Sequence, residues 1–439
     1  MRKYLLASAA SLGLMVAASG AAHAQAAKAP APGQIVVHLN GLLNDQINMI
    51  GATGDSVQGG TKLNPIGMSG FLRLYPGFDG TTENGIQYGV ATELRTTYTP
   101  AGVGTHEGFG AEGGNGYTTL AIRRAYGYIG TPQTGFVRFG QTDGIWWLLA
   151  TGEYYNFGDG NLWNSDGGVG TAVPSPSDGG VGTAVPSPDA PKGLFTSSGA
   201  LYTTNKIVYI SPDVDGFKAG FDFEPNSNAF NEGALCTIGS TNCATLASAP
   251  GGVKSRRKNT ITGGLEYSGE FSGTGVTLAV DYLHAAPIGD STGTGVGYKS
   301  MGIAEFSGQV KYAGFTLGAN VKTGQVNNGY TFLTPGQRDL FFYEVTGIYD
   351  FGPYTVGAYY FNNQAAGAYT PGSNIGRTET DYGIAVGANY ALSKNLGVYA
   401  TYLYGHRHQD GYTFGTNNGV ALTNNVQSQA FSLGAALKW

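Results

Sequence analysis

The sequence predicts an all-β fold, a transmembrane antiparallel β-barrel of about sixteen strands, and three observations predict it. The last nine residues, FSLGAALKW, put Phe431, Leu433, Ala435, Leu437 and Trp439 on one face and Ser432, Gly434, Ala436 and Lys438 on the other. Period two is the mark of a strand, and an apolar face ending in an aromatic suits a strand with one side in lipid. The composition is poor in helix formers, with 73 Gly, 28 Tyr, 21 Phe and 12% charged residues in 439. Short and long connections alternate strictly along the chain, as in a barrel with tight turns at one rim and long loops at the other.

Met1 to Ala24 reads as a secretory signal: Arg2 and Lys3 open it, Leu5 to Ala18 form the apolar run, and Ala22-His23-Ala24 is an A-x-A site before Gln25. Cleavage after Ala24 leaves 25–439 as one barrel domain. Beyond residue 24 there is no run of about eighteen apolar residues to serve as a spanning helix, so membrane crossing falls to strands. Without Arg2 and Lys3 the mature chain has 22 basic and 29 acidic side chains, a formal charge of about −7, which argues against a nucleic-acid partner.

Alternation and turn chemistry place strands near 34–50, 67–78, 86–98, 117–130, 135–141, 204–211, 217–226, 258–271, 276–287, 298–312, 315–327, 338–351, 354–365, 377–392, 396–409 and 425–439. The tight links are made of turn residues: Gln133-Thr134, Asp213-Val214-Asp215-Gly216, Ser272-Gly273-Thr274-Gly275, Ala313-Gly314, Gly352-Pro353 and Ser393-Lys394-Asn395. Between them lie long Gly, Asn, Thr and Ser-rich segments, among them 99–116, 227–257, 328–337 and 410–424.

Faces are legible within several strands. Ile86, Tyr88, Val90, Thr92 and Leu94 alternate with Gln87, Gly89, Ala91, Glu93 and Arg95, and Phe217, Ala219, Phe221 and Phe223 with Lys218, Gly220, Asp222 and Glu224. Tyr382, Ile384, Val386, Ala388 and Tyr390 stand against Glu379, Asp381, Gly383, Ala385 and Asn389. Charges on the face opposite the aromatics imply a wet interior and a lipid-facing exterior. Tyr359-Tyr360-Phe361 and Phe341-Phe342-Tyr343 are expected to fit interfacial girdles. Adjacent Arg123 and Arg124 break the alternation. If Tyr126 and Tyr128 face outward then Arg124 does too and needs burial against a neighbouring subunit; the alternative is a bulge in that strand.

The segments RRAYGYIGTPQTGFVRFGQTDG at 123–144 and TNKIVYISPDVDGFKAGFDF at 204–223, with the C-terminal aromatic Trp439, resemble the general porins of Gram-negative outer membranes. The first looks like that family's fourth and fifth strands, the second like its sixth and seventh, and Trp439 like its assembly signal. The resemblance implies a sixteen-stranded barrel that forms a homotrimer in outer-membrane lipid, inserted by the barrel-assembly machinery. It further implies that the connection 142–203 folds inward and sets the constriction, its acidic residues opposing basic residues of the wall. The acidic candidates are Asp143, Glu153, Asp159, Asp166 and Asp178, with Asp189 and the lone Lys192 also in the segment. The wall candidates are Arg95, Arg123 and Arg138, with Arg73 weaker, and Val208 stands where family members often carry a basic residue.

Cys236 and Cys243 enclose six residues of a long loop, and in an oxidising compartment a local disulfide is expected. His406 and His408 share a strand face at metal-compatible spacing, for which a solvated strand end is the expected role. No catalytic or nucleotide-binding motif has the right context, so neither enzyme activity nor a cofactor is expected. The function expected is a water-filled channel for passive diffusion of small hydrophilic solutes and ions, mildly cation-preferring because acids dominate 142–203 and the inward faces at Asp222, Glu224, Glu379 and Asp381. The alternatives are a substrate-specific sugar or anion channel, for which inward Tyr359, Tyr399 and Phe342 are scattered aromatic candidates, and an outer-membrane enzyme or adhesin. The segment SDGGVGTAVPSP occurs twice in tandem, at 165–176 and 177–188, and is expected to add irregular loop without perturbing the wall.

Overall fold

The computed structural model describes residues 29–53, 65–97, 119–152, 157–158, 204–226, 257–287, 297–327, 330–367, 378–410, 416–417, 420–421 and 423–439. The signal segment, the tandem repeat, both cysteines and the acids Glu153, Asp159, Asp166 and Asp178 lie outside the described residues.

Sixteen strands close into one antiparallel barrel. They are β1 (Ile35–Ala52), β2 (Ile66–Thr81), β3 (Gln87–Thr97), β4 (Thr119–Thr131), β5 (Gly135–Gln141), β6 (Asn205–Ile210), β7 (Phe217–Asn226), β8 (Arg257–Phe271), β9 (Thr274–Pro287), β10 (Met301–Tyr312), β11 (Phe315–Gln325), β12 (Leu340–Phe351), β13 (Tyr354–Ala366), β14 (Thr378–Ala391), β15 (Leu396–Gln409) and β18 (Asn425–Lys438). Every strand read from alternation is present. A two-residue hairpin, β16 (Thr416–Asn417) with β17 (Val420–Ala421), lies in the last long connection and is too short to show a period. Each strand pairs with its sequence neighbours, and β18 closes on β1. At that seam the Trp439 and Gly41 backbones exchange hydrogen bonds of 3.1 and 3.2 Å. The indole lies over Gly41, where a Cβ would sit 2.6 Å from Cη2.

The outward face is apolar along its length, from Val37, Leu39 and Ile47 through Phe221, Leu278, Phe306 and Leu317 to Leu433 and Leu437, all exposed. With no water at that depth, only a closed barrel satisfies the backbone. At the short-turn rim the outward aromatics form a ladder: Phe315 on Tyr349 (ring centroids 4.1 Å apart), Tyr349 on Phe351 (5.3 Å), Phe351 on Tyr354 (5.3 Å) and Tyr354 on Tyr390 (4.9 Å). This ladder occupies the girdle position. Half of the residues expected in girdles point the other way, because alternation sends Phe342, Tyr359 and Phe361 inward, where they are buried.

The strand with adjacent arginines carries a bulge. Glu93 pairs with Arg124 and Leu94 with Ile122, so Arg123 is an extra residue on β4. The extra residue resets the alternation, and Arg123, Arg124, Tyr126 and Tyr128 all reach inward partners. The outward placement of Arg124, Tyr126 and Tyr128 is thereby corrected. A bulge leaves one residue unpaired and rotates the strand locally, which is how two neighbouring side chains come to share a face. Gln141 caps the disturbed backbone, its Nε2 donating to the Arg123 carbonyl at 2.7 Å.

Candidate pore constriction

The shortest barrel strands, β5 and β6, are 7 and 6 residues long, and the long connection 142–204 springs from the low wall they make. Its described part runs around the inside of the barrel. Thr142 and Asp143 are buried, and the four-residue helix α1 (Ile145–Leu148) follows. The Ile145 N–H donates to Asp222 Oδ2 of β7 at 2.5 Å, and the Thr151 N–H donates to Ser307 Oγ of β10 at 3.3 Å. The Gly158 N–H donates to Asn389 Oδ1 of β14 at 2.7 Å, and Asn389 Nδ2 donates back to the Gly158 carbonyl at 2.5 Å. The described residues of the segment therefore touch the wall at β7, β10 and β14.

Close approach needs small residues at two places. Gly152 has φ +74, and a Cβ there would sit 2.5 Å from the carbonyl oxygens of Gly308 and Ala319. Phe157, 1% exposed, fills a notch left by Gly357 and Gly387. A ring seated over two facing glycines pins the loop more firmly than a hydrogen bond in a wet lumen, since removing a buried Phe costs about 3–5 kcal/mol.

The inward charges divide by side. On β2 to β6, Arg73, Arg95, Arg123, Arg124 and Arg138 stand with the wall acids Asp79 and Glu93 and the loop acid Asp143, while Lys206 of β6 reaches Glu224 of β7 at 3.6 Å. Glu93 is the hub: Oε2 accepts from Arg123 Nη1 at 2.9 Å and from Arg124 Nη1. Arg73 and Arg95 stand directly opposite each other on the adjacent strands β2 and β3. Arg124 Nε lies 2.7 Å from Asp143 Oδ2, so the described loop acid joins the arginine wall by direct contact. Arg138 lies over the Tyr126 ring at 5.3 Å, and Tyr128 donates to Asp79. Val208 faces inward and is buried against Ile145 and Leu149.

On β7 to β15 the balance reverses. Asp222, Glu224, Glu266, Asp281, Glu305, Glu344, Glu379 and Asp381 face inward with Lys218, Arg257, Lys322 and Arg407. The pairs are Lys218 with Glu266 (3.0 Å), Arg257 with Glu224 (3.2 Å), Lys322 with Glu305 (3.8 Å), and Arg407 with Asp381 (2.6 Å) and Glu379 (3.4 Å). Most of this half is buried, whereas Arg95, Arg123 and Arg138 on the other half are partly exposed. His406 stacks on the outward ring of Tyr382 at 4.9 Å, and His408 bonds Asn425 and Asp410, each at 2.8 Å. No group of three metal-type ligands occurs among the described residues.

Sequence reasoning reached the wall arginines, Asp143, Asp222 and Glu224. It missed Glu93 as the hub, although register alone sets it opposite Arg124. It missed Phe157 and Asn389 as loop anchors, for which the sequence carries no signal.

A closed sixteen-stranded barrel with a long connection against its inner wall agrees with what the whole sequence matches: the family model described as Gram-negative porin covers residues 7–410. The chain belongs to the Gram-negative porin family. This porin is similar in fold to the anion-selective porin from Comamonas acidovorans, with 14% identity over 92% of this chain and 100% of that one and a TM-score of 0.52. It is similar also to Salmonella typhi OmpF in complex with daunomycin (14% identity, 92% and 97% covered, TM-score 0.55). A third likeness is to OmpT of Vibrio cholerae (14% identity, 94% and 100% covered, TM-score 0.50). At these identities the likeness is one of architecture. No curated protein sequence matches this porin significantly. Family and fold together make it an outer-membrane channel.

Proposed function

We propose that this porin is a homotrimeric, water-filled channel for passive diffusion of small hydrophilic solutes and ions, exported by a signal cleaved after Ala24 and inserted by the barrel-assembly machinery. The inward charge of β2 to β6 supports the diffusion reading: cations dominate there, and Arg95, Arg123 and Arg138 are partly exposed. Charge in contact with water along a narrow path orders that water and favours polar solutes. Mild cation preference rests on the acids Glu153, Asp159, Asp166 and Asp178, because the partly exposed wall cations Arg95, Arg123 and Arg138 oppose it.

Asp45 supports the trimer. Away from the strand ends it is the one charged side chain on the outward face among the described residues, exposed between Gly70 and Ala435 in register. A carboxylate in the apolar belt is costly in lipid and is relieved against a neighbouring subunit. Arg124, which sequence reasoning gave that part, is satisfied inside its own barrel.

Planar-bilayer recordings test the reading. A conducting channel with a reversal potential of cation sign is expected, turning toward anions when Asp159, Asp166 and Asp178 become Asn. Clear anion preference in the unaltered protein contradicts the selectivity, and absence of conductance contradicts the channel. Removing 177–188 should leave assembly intact while raising conductance; unchanged conductance places the repeat away from the eyelet.

A further inference from the structure

The interior of a diffusion channel is expected to be polar, yet among the described residues nineteen buried apolar side chains form one cluster inside this barrel. Leu283, Met301, Ile303, Phe342, Phe361 and Leu403 supply the wall side of it, at inward-facing positions of β9 to β15. A wall of this kind is stable only if something apolar covers it. The cover comes from the connection between β11 and β12, whose Tyr330, Phe332 and Leu333 are 0%, 2% and 1% exposed. Sequence reasoning took 328–337 for one of the long outer loops, from its Gly, Asn and Thr content.

The described residues of the connection are tied down at several points. Asn327 and Thr331 pair, with the Asn327 N–H donating to the Thr331 carbonyl at 2.8 Å. The Lys299 N–H donates to the Leu333 carbonyl at 2.8 Å, and the Tyr298 and Phe332 rings lie 6.2 Å apart. Thr334 and Gln337 close a second turn through contacts of 2.8 and 2.9 Å. Arg338 donates to Thr378 Oγ1 at 3.2 Å and to Gln364 Oε1 at 3.1 Å, reaching β14 and β13.

At its innermost point it meets the constriction loop. Trp146 Nε1 donates to the Tyr330 hydroxyl at 3.3 Å, and the rings meet edge to face at 6.4 Å. Neighbouring residues of α1 thus point in opposite directions. Ile145 packs on the wall beside Gly220 and Gly264, and Trp146 packs on the strap. The loop is gripped on two sides.

We propose that the β11–β12 connection is a second constriction element, which locks α1 through Tyr330 and fills the β9 to β15 half of the mouth, so that the open path is confined to the arginine wall. The proposal rests on the channel reading above and makes this connection, with Tyr330 as its positioning residue, a determinant of solute size.

The test uses the full-length trimer in planar bilayers, with liposome swelling by neutral sugars of graded size. Replacing 328–336 by a Gly-Ser linker of equal length should raise single-channel conductance by roughly one half to twofold and admit larger sugars, because the narrowest section governs passage. Tyr330→Phe keeps the ring and removes the acceptor of the Trp146 N–H; it should preserve assembly and increase open-channel current noise. Wild-type conductance, size limit and noise in both variants overturn the proposal. If the linker variant does not assemble, Tyr330→Phe alone decides, and wild-type noise overturns it. Absence of conductance in the unaltered protein is a failure of the channel reading and is distinguishable from both outcomes.

Discussion

The two halves of the lumen solve one problem in different ways. Both place ionisable side chains inside a barrel, but the β2 to β6 half leaves Arg95, Arg123 and Arg138 in reach of water, while the β7 to β15 half buries its acids beneath two inward connections and an apolar layer. A charge in contact with water contributes field to a passing solute. A buried, paired charge contributes mainly to holding the wall and loop together. The difference teaches that counting charges on inward faces is a poor guide to selectivity unless each is weighted by exposure.

The largest effect that breaks the contrast is expected at Glu93. It is 1% exposed and bonded to Arg123 and Arg124, so Glu93→Ala removes the acid that the two share and leaves the buried Arg124 one of its two acids, Asp143, a loss of about 3–5 kcal/mol for a buried pair. Heat-modifiability on gels should show the variant unfolding at markedly lower temperature. An unchanged transition would mean that the arginines are solvated and that the hub is dispensable.

Next in size is a change of selectivity. Exchanging Arg95, Arg123 and Arg138 together for Gln removes the water-reaching cations and should swing the reversal potential in a salt gradient clearly toward cations. The same exchange at Lys322 and Arg407, which are 0% and 2% exposed, should leave it nearly unmoved. Equal shifts from both sets would erase the distinction between the halves.

Smaller still is the response to Phe157→Ala. The barrel is held by its own ladder, so assembly should persist while the loop loses its anchor in the Gly357 and Gly387 notch. Recordings should show a noisier open state with somewhat higher conductance. The smallest effect is expected for Tyr128→Phe, which deletes one bond to Asp79 worth about 1 kcal/mol and should leave conductance within experimental scatter.

The strands were legible because membrane burial on one face and water on the other enforces period two, as β7 shows with Phe217, Phe221 and Phe223 against Lys218, Asp222 and Glu224. The bulge at Arg123 was not, since an extra residue leaves no mark beyond two adjacent charges, which fit two structures equally well. The apolar interior was illegible for a related reason. Where both faces of a strand are apolar, as at Phe341 and Phe342, alternation cannot say that one side is covered by protein and the other by lipid. Glu93 was readable as inward but not as a hub, because only the bulge beyond it brings Arg123 to the same side as Arg124.

The central claim, that solutes and ions pass along the arginine wall and not along the buried half, is tested most directly by cysteine accessibility under current recording. In a background with Cys236 and Cys243 replaced by Ser, single cysteines at Tyr126 and Arg138 are compared with single cysteines at Thr346 and Leu403, which are 2% and 1% exposed. A charged methanethiosulfonate reagent should reduce current promptly through the first pair and leave the second unaffected. Prompt block at Thr346 or Leu403, with none at Tyr126 and Arg138, would contradict the claim.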